Sequence, residues 1–321
     1  MELSYEDVKA AADRIAGRVR PVAIVPGESD AVATTGSGPA ELWLALEFMQ
    51  HTGSFKARGA QNFIQAHRDD GTLPDAGVTI ASGGNAGLAC AWAARGQGVR
   101  ATVFLPTTAP AVKVERLRGY GADVRLVGAE YADALAACHE YADTSGALRS
   151  HAYDNPYIAA GAGTLMMEIH RQLPRLDTVV VAVGGGGLFA GIATAAAHYG
   201  VRTIAVEPEN CRALHAAIAA GQIVDAPVDS VAADSLGARR ATELALHAAR
   251  NYDVTSVLVA DRDIIATRRK LWHDRRLAVE HGAATALAAL TTADGAYRAQ
   301  PGERICVVLC GANTDPADLA Q

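Results

Sequence analysis

Thr52-Gly53-Ser54-Phe55-Lys56-Ala57-Arg58-Gly59-Ala60 is the stretch from which the rest of the chain can be read. The segment before it, Glu41 to Phe48 (ELWLALEF), has the apolar run of a buried strand. The segment after it, Ala57 to His67, places Ala57, Ala60 and Ile64 at helical spacing. Lys56 therefore lies at the mouth of a strand-turn-helix, beside a helix N-terminus. Gly53 lets the chain turn tightly, and Ser54 is the predicted cap of the first helical turn. A lysine held near that positive helix end loses proton affinity and can act as an amine nucleophile or base. The local pattern alone favours a plain surface lysine before a helix.

Outward from this segment the chain alternates short β-branched runs with longer periodic ones. Strands are predicted at Val78 to Ala81, Ala101 to Leu105, Val124 to Val127, Thr178 to Val183, Arg202 to Val206, Ser256 to Val259 and Ile305 to Leu309. Helices are predicted between them, and a first helix spans Tyr5 to Arg18 with Ser4 as its N-cap. Another begins at Ala160, and Ala226 to Ser235 reads as a connection. This alternation predicts an α/β fold with parallel sheets covered on both faces.

Composition agrees with a globular enzyme-sized chain. Of 321 residues half are hydrophobic, enough for a large core. The formal charge of −6 is spread along the chain, and no basic tract points to nucleic acid or a membrane surface. Five cysteines without a CxxC pair argue against a disulfide framework and a zinc site. The first residues form a polar helix without a signal-peptide core, so a cytoplasmic location is expected. The ten histidines have no ligand spacing, and no metal is expected.

Two glycine-rich turns follow predicted strands. Gly184-Gly185-Gly186-Gly187 opens a helix, where converging backbone N–H groups and the helix dipole suit a phosphate. Gly185-x-Gly187-x-x-Ala190, with Glu207 about twenty residues on, also matches a dinucleotide fingerprint, so an NAD-dependent oxidoreductase competes. Ser82-Gly83-Gly84-Asn85-Ala86-Gly87 presents backbone N–H groups suited to a carboxylate, or is simply a turn with asparagine in a left-handed conformation.

TGSFKARGA resembles the cofactor-lysine segment of fold type II pyridoxal-phosphate enzymes, in particular the threonine and serine dehydratases (ammonia-lyases). The likeness continues in order through SGGNAG from Ser82, HAYDNPYIAAGAGT from His151, the four glycines from Gly184, Val206-Glu207-Pro208, Glu280-His281-Gly282-Ala283 and Leu309-Cys310-Gly311-Ala312-Asn313. It implies the tryptophan synthase β-like fold, two doubly wound α/β domains. A small domain over 75–149 would be inserted into a large cofactor-binding domain made of 1–74 and 150–321.

The resemblance also assigns roles. Lys56 would carry pyridoxal 5′-phosphate as an imine and remove the substrate's α-proton. Phe55, Asn85, Glu280 and Cys310 would contact the cofactor, and Gly184, Gly185, Gly186 and Gly187 its phosphate. Ser54, Ser82, Gly83, Gly84, Asn85 and Ala86 would meet the substrate, with Ser82 a further catalytic candidate. Cys310 matches the residue facing the pyridine nitrogen, and a neutral thiol there leaves that nitrogen unprotonated. Gly83 stands where serine racemases carry their second acid-base serine, which favours elimination over racemisation. A glutamate matching Glu207 binds a divalent cation in racemase-like relatives, but its partner aspartate is replaced here by Ala213. The implied reaction is β-elimination of a β-hydroxy amino acid such as threonine or serine to a 2-oxo acid and ammonia. Serine racemisation and β-replacement, as in cysteine synthases, are the alternatives on the same scaffold. A homodimer is expected, and with the chain stopping soon after Asn313, no C-terminal regulatory domain.

Overall fold

Strand-helix alternation builds two sheets in the computed structural model, which describes residues 2–292 and 295–319. Helix α1 (Tyr5–Ile15) precedes strands β1 (Ile24–Pro26) and β2 (Glu41–Ala45) and helix α2 (Lys56–Asp69). Then come β3 (Val78–Ala81), α3 (Asn85–Gly96), β4 (Ala101–Leu105), α4 (Ala111–Gly119), β5 (Asp123–Leu126), α5 (Tyr131–Ser145) and β6 (Leu148–Arg149). The chain continues through α6 (Pro156–Gln172), β7 (Thr178–Ala182), α7 (Gly187–His198), β8 (Arg202–Pro208), α8 (Ala213–Ala220) and α9 (Ala233–Leu236). It closes with α10 (Glu243–Asn251), β9 (Val254–Val259), α11 (Asp261–Arg275), α12 (His281–Thr291) and β10 (Arg304–Val308).

One sheet has the order β1-β2-β10-β7-β8-β9 and the other β5-β4-β3-β6. Every pairing is parallel except that of β1 with β2. This is the α/β architecture with mainly parallel sheets that the alternation predicts. β7 lies between β10 and β8, and its five residues are all buried. A strand covered on both faces needs such an unbroken apolar run. Val179, Val180, Val181, Phe189, Ile192 and Ile204 belong to the core around it. A second core joins Val78, Ile80, Val103 and Leu105 to Phe63 and Ile64 of α2 and Ile158 of α6.

Most predicted elements appear within a few residues of their expected ends. Ser4 caps α1 as predicted: Asp7 N donates to Ser4 Oγ, and Ser4 N donates to the Asp7 carboxylate. α1 ends at Ile15 rather than Arg18. α6 starts at Pro156, four residues before the expected Ala160. Asn155 Oδ1 accepts from Tyr157 N at 2.9 Å, and proline suits the first helical position. The strand expected to reach Phe48 stops at Ala45, and a 3₁₀ turn, Glu47–Met49, follows. That turn brings Glu47 inward to an ion pair with Arg58. The two-residue β6 has too little sequence to carry a periodicity, and α9 occupies the end of the segment read as a connection.

Candidate active site

Lys56 opens α2, with bonds from it and its turn to the segment after β6 and to the end of β10. The turn before it is pinned to the end of β10: Phe55 N donates to Cys310 O at 3.0 Å, and Ala312 N to Gly53 O at 2.9 Å. Lys56 Nζ donates to Ala152 O at 2.7 Å and lies 4.6 Å from the Phe55 ring centroid and 5.9 Å from that of Tyr153. Burial pushes its amine down to about 8, with nearby Glu280 pulling the other way. The amine is thus far easier to deprotonate than an ordinary lysine.

Ser54 does not cap the helix. Phe55 takes the N-cap position without a side-chain cap bond. Ser54 is fully buried, and its Oγ and Thr52 Oγ1 have no hydrogen-bond partner among the described residues. Thr52 holds φ at 62°, the left-handed region that costs a β-branched residue strain. Two hydroxyls without a partner among the described residues and a strained residue thus precede Lys56.

The four glycines link β7 to α7. Gly186 is its N-cap, with φ at 98°. The first helical hydrogen bond runs from Ala190 N to Gly186 O at 2.8 Å, so the N–H groups of Gly187, Leu188 and Phe189 precede the helical ladder. A Cβ on Gly185 would stand 2.3 Å from the Tyr153 ring. The glycine therefore admits an aromatic ring directly over the loop. Tyr153 belongs to the segment after β6 whose fold is set by His151, since Nδ1 of that histidine accepts from Tyr153 N at 3.2 Å and Asp154 N at 2.8 Å. The sequence reading quoted this segment without singling out Tyr153 or Ala152.

On the facing side, α3 begins at Asn85. Leu88 N donates to Gly84 O, leaving the N–H groups of Asn85, Ala86 and Gly87 ahead of the ladder. Gly84 N reaches Ser82 Oγ at 3.4 Å. Ser82, Gly83, Gly84 and Asn85 are half-buried and Ala86 buried. Asn85 Nδ2 donates to Glu280 at 2.9 and 3.1 Å, and Asn313 N donates to Glu280 Oε1 at 2.8 Å. Asn313 Nδ2 donates to Asn85 Oδ1 at 2.6 Å and to Thr52 O at 2.7 Å. Asn313 thus ties the lysine turn, α3 and Glu280 together, a role the sequence motif displayed without revealing. Glu280 is the N-cap residue of α12 but makes no side-chain cap bond, and it is buried, so neither helix capping nor solvent exposure accounts for it. Burial pushes its carboxyl up, opposed by the bonds from Asn85 and Asn313. Cys310 is buried, and burial, reinforced by Glu280, pushes its thiol up to about 12.

Glu207 lies outside this cluster. Its two oxygens accept from Leu214 N at 2.8 Å and His215 N at 2.7 Å at the start of α8. Glu207 is also fully buried, so it presents no exposed oxygen to a ribose, which counts against the dinucleotide reading. Among the described residues no group of three or more His, Cys, Asp or Glu side chains converges to hold a metal ion. No helix of the described chain is long and apolar enough to cross a membrane.

Residues 28–311 match the family described as pyridoxal-phosphate dependent enzymes. The chain is 34% identical over 315 residues to the L-threonine ammonia-lyase of Geobacter sulfurreducens, covering 98% of this chain and 76% of that protein. It is 34% identical over 284 residues to the human serine dehydratase-like protein, covering 85% of each. Maize serine racemase superposes with a TM-score of 0.89 at 28% identity, covering 99% of this chain and 96% of that one. With a profile match over most of its length and a half-buried lysine, glycine turns and thiol gathered at one site, the chain belongs to the fold type II pyridoxal-phosphate dependent enzymes.

Proposed function

We propose that this protein is an ammonia-lyase that converts a β-hydroxy amino acid such as threonine or serine to a 2-oxo acid and ammonia. The observation that carries the reading is a half-buried lysine, its amine lowered to about 8, set between two glycine-rich helix N-termini. The residues fit pyridoxal phosphate. Ser54 Oγ is a buried donor lacking a partner among the described residues, and the N–H groups of Gly187, Leu188 and Phe189 stand ahead of the α7 ladder, free of a helical acceptor. The cofactor, when bound, supplies an aldehyde for an amine and an electron sink for the α-carbon.

The chain's own residues do the rest. Lys56 is the attachment point and afterwards, as a free amine, the base that holds the α-proton. Gly184, Gly185, Gly186 and Gly187 with the α7 N-terminus hold the phosphate, since N–H groups and dipole both favour an anion. Phe55 would lie against the ring, and Asn85, positioned by Glu280, would donate to its oxygen. Cys310 would face the ring nitrogen as a neutral thiol, which offers it no charge partner. Ser54 and the turn of Ser82, Gly83, Gly84, Asn85 and Ala86 bind the substrate, its carboxylate on the N–H groups of α3. Gly83 offers no proton on the second face, which favours elimination over racemisation.

Residues 75–149 are assigned to a small domain within a large one made of 1–74 and 150–321. All strands of the four-stranded sheet fall between Val78 and Arg149, which supports this division. A cytoplasmic location fits the free cysteines, and a homodimer is part of the same reading.

The test is incubation of the cofactor-loaded protein with L-threonine and with L-serine. The expected outcome is equal release of ammonia and 2-oxo acid from at least one of them. Recovery of D-serine without oxo acid would make the protein a racemase and sink the proposal.

A further inference from the structure

The first turn of α2 carries two cations that point apart. Residues two apart on a helix are about 200° apart around its axis, so with Lys56 on the cleft side Arg58 faces the core. Arg58 is wholly buried. Its Nε and Nη2 donate to Glu47 at 2.7 and 3.0 Å, and Nη1 and Nη2 to Glu168 at 2.7 and 3.1 Å. Nη1 also reaches Thr164 Oγ1 at 3.2 Å, and Nη2 the Arg20 carbonyl at 3.3 Å. Glu168 in turn accepts from Val22 N at 2.7 Å. The backbone is gripped as well: a Cβ on Gly161 of α6 would stand 2.7 Å from the Arg58 carbonyl.

One guanidinium therefore clamps the mount of Lys56 to the turn after β2, to α6 and to the N-terminal segment. Burying Arg58 and Glu47, with Glu168 half-buried beside them, is a weak source of stability, because desolvation offsets most of the attraction, and apolar packing would serve stability as well. A planar fork with every N–H engaged fixes direction instead. We propose that Arg58 is a positioning residue that fixes the orientation of the Lys56 amine toward the cofactor aldehyde, an inference that rests on Lys56 being the attachment point.

The experiment uses Arg58→Lys and Glu168→Gln in the full chain, each after removal of bound cofactor. Two probes are added separately: pyridoxal 5′-phosphate, with borohydride trapping of the Lys56 adduct followed over pH, and its 4′-deoxy analogue, which has the phosphate but no aldehyde. R58K keeps the charge and loses the fork. It is expected to slow adduct formation by about tenfold or more, since small misplacement of a reacting group costs up to about a hundredfold. The pH midpoint should rise from about 8 toward the ordinary 10.5 of a lysine. Affinity for the deoxy analogue should stay at the wild-type value, because the glycine loop is separate. E168Q, which alters the partially exposed carboxylate that accepts from Arg58, should move rate and midpoint the same way by less; it decides the matter if R58K does not fold. Wild-type rate and midpoint in E168Q, or in a folded R58K, would overturn the clamp, as would loss of deoxy-analogue affinity in parallel with rate. A wild-type chain that forms no Lys56 adduct would overturn the reading of the site itself.

Discussion

Lys56 and Glu207 show how burial acts in opposite directions on the two signs of charge. Removing the amine from water disfavours its charged form and brings it to about 8. Trapping of the lysyl adduct should accordingly rise with pH through about 8 in the wild type. Lys56→Ala should abolish both the adduct and ammonia release while circular dichroism stays native; residual adduct at another lysine would refute the assignment. Burial also pushes Glu207 up to about 7, opposed by the N–H groups of Leu214 and His215. Its ordinary carboxyl value is 4.5, so the folded protein binds the extra proton between those two values. This group's contribution to stability is therefore present below pH 4.5 and is lost as pH rises through about 7. The swing is at most on the order of 3 kcal/mol. In Glu207→Gln, urea midpoints measured from pH 5 to 8 should lose this slope. An unchanged slope would place the titration elsewhere.

At the scale of elements, the glycine turns and caps carry the most sequence information. Gly186→Ala places a side chain at a φ of 98° and within 2.4 Å of Ala245 Cβ. It should cost about 1–3 kcal/mol in chemical unfolding. Gly185→Ala drives a methyl into the Tyr153 ring; pairing it with Tyr153→Ala should restore part of the lost cofactor affinity, and strict additivity of the two would count against the contact. Ser4→Ala removes a capping box and should cost about 1 kcal/mol. The turns were legible because glycine, serine and asparagine act locally through backbone freedom and short side chains. Ser54 misled for the same reason: a serine before a helix has the local chemistry of a cap, and only the packing around Lys56 leaves its hydroxyl unpaired. Arg58 stood in the quoted segment and gave no sign of burial, since its partners Glu47 and Glu168 lie 11 and 110 residues away.

Over the whole molecule, two sheets and their helices enclose all five cysteines. A thiol reagent at neutral pH should label none of them in the native protein and all five after unfolding. Fast native labelling of Cys310 would contradict a buried thiol pushed up to about 12. Pyridoxal phosphate at a hundred times its Kd should stabilise the native state by about 2.7 kcal/mol through mass action alone. A thermal midpoint indifferent to the cofactor would speak against its binding to the folded chain.

The alternation of buried strands with periodic helices is written along the chain, because period and propensity are local properties of consecutive residues. So are the glycine turns, the lysine that follows one strand and the cysteine that ends another. What the chain does not write is who meets whom. Asn313 joins Asn85, Thr52 and Glu280, and Arg58 joins Glu47 and Glu168, only after the sheets have formed. Those contacts decide how far the Lys56 amine is desolvated and where it points, and they depend on distances in space that no spacing in sequence encodes.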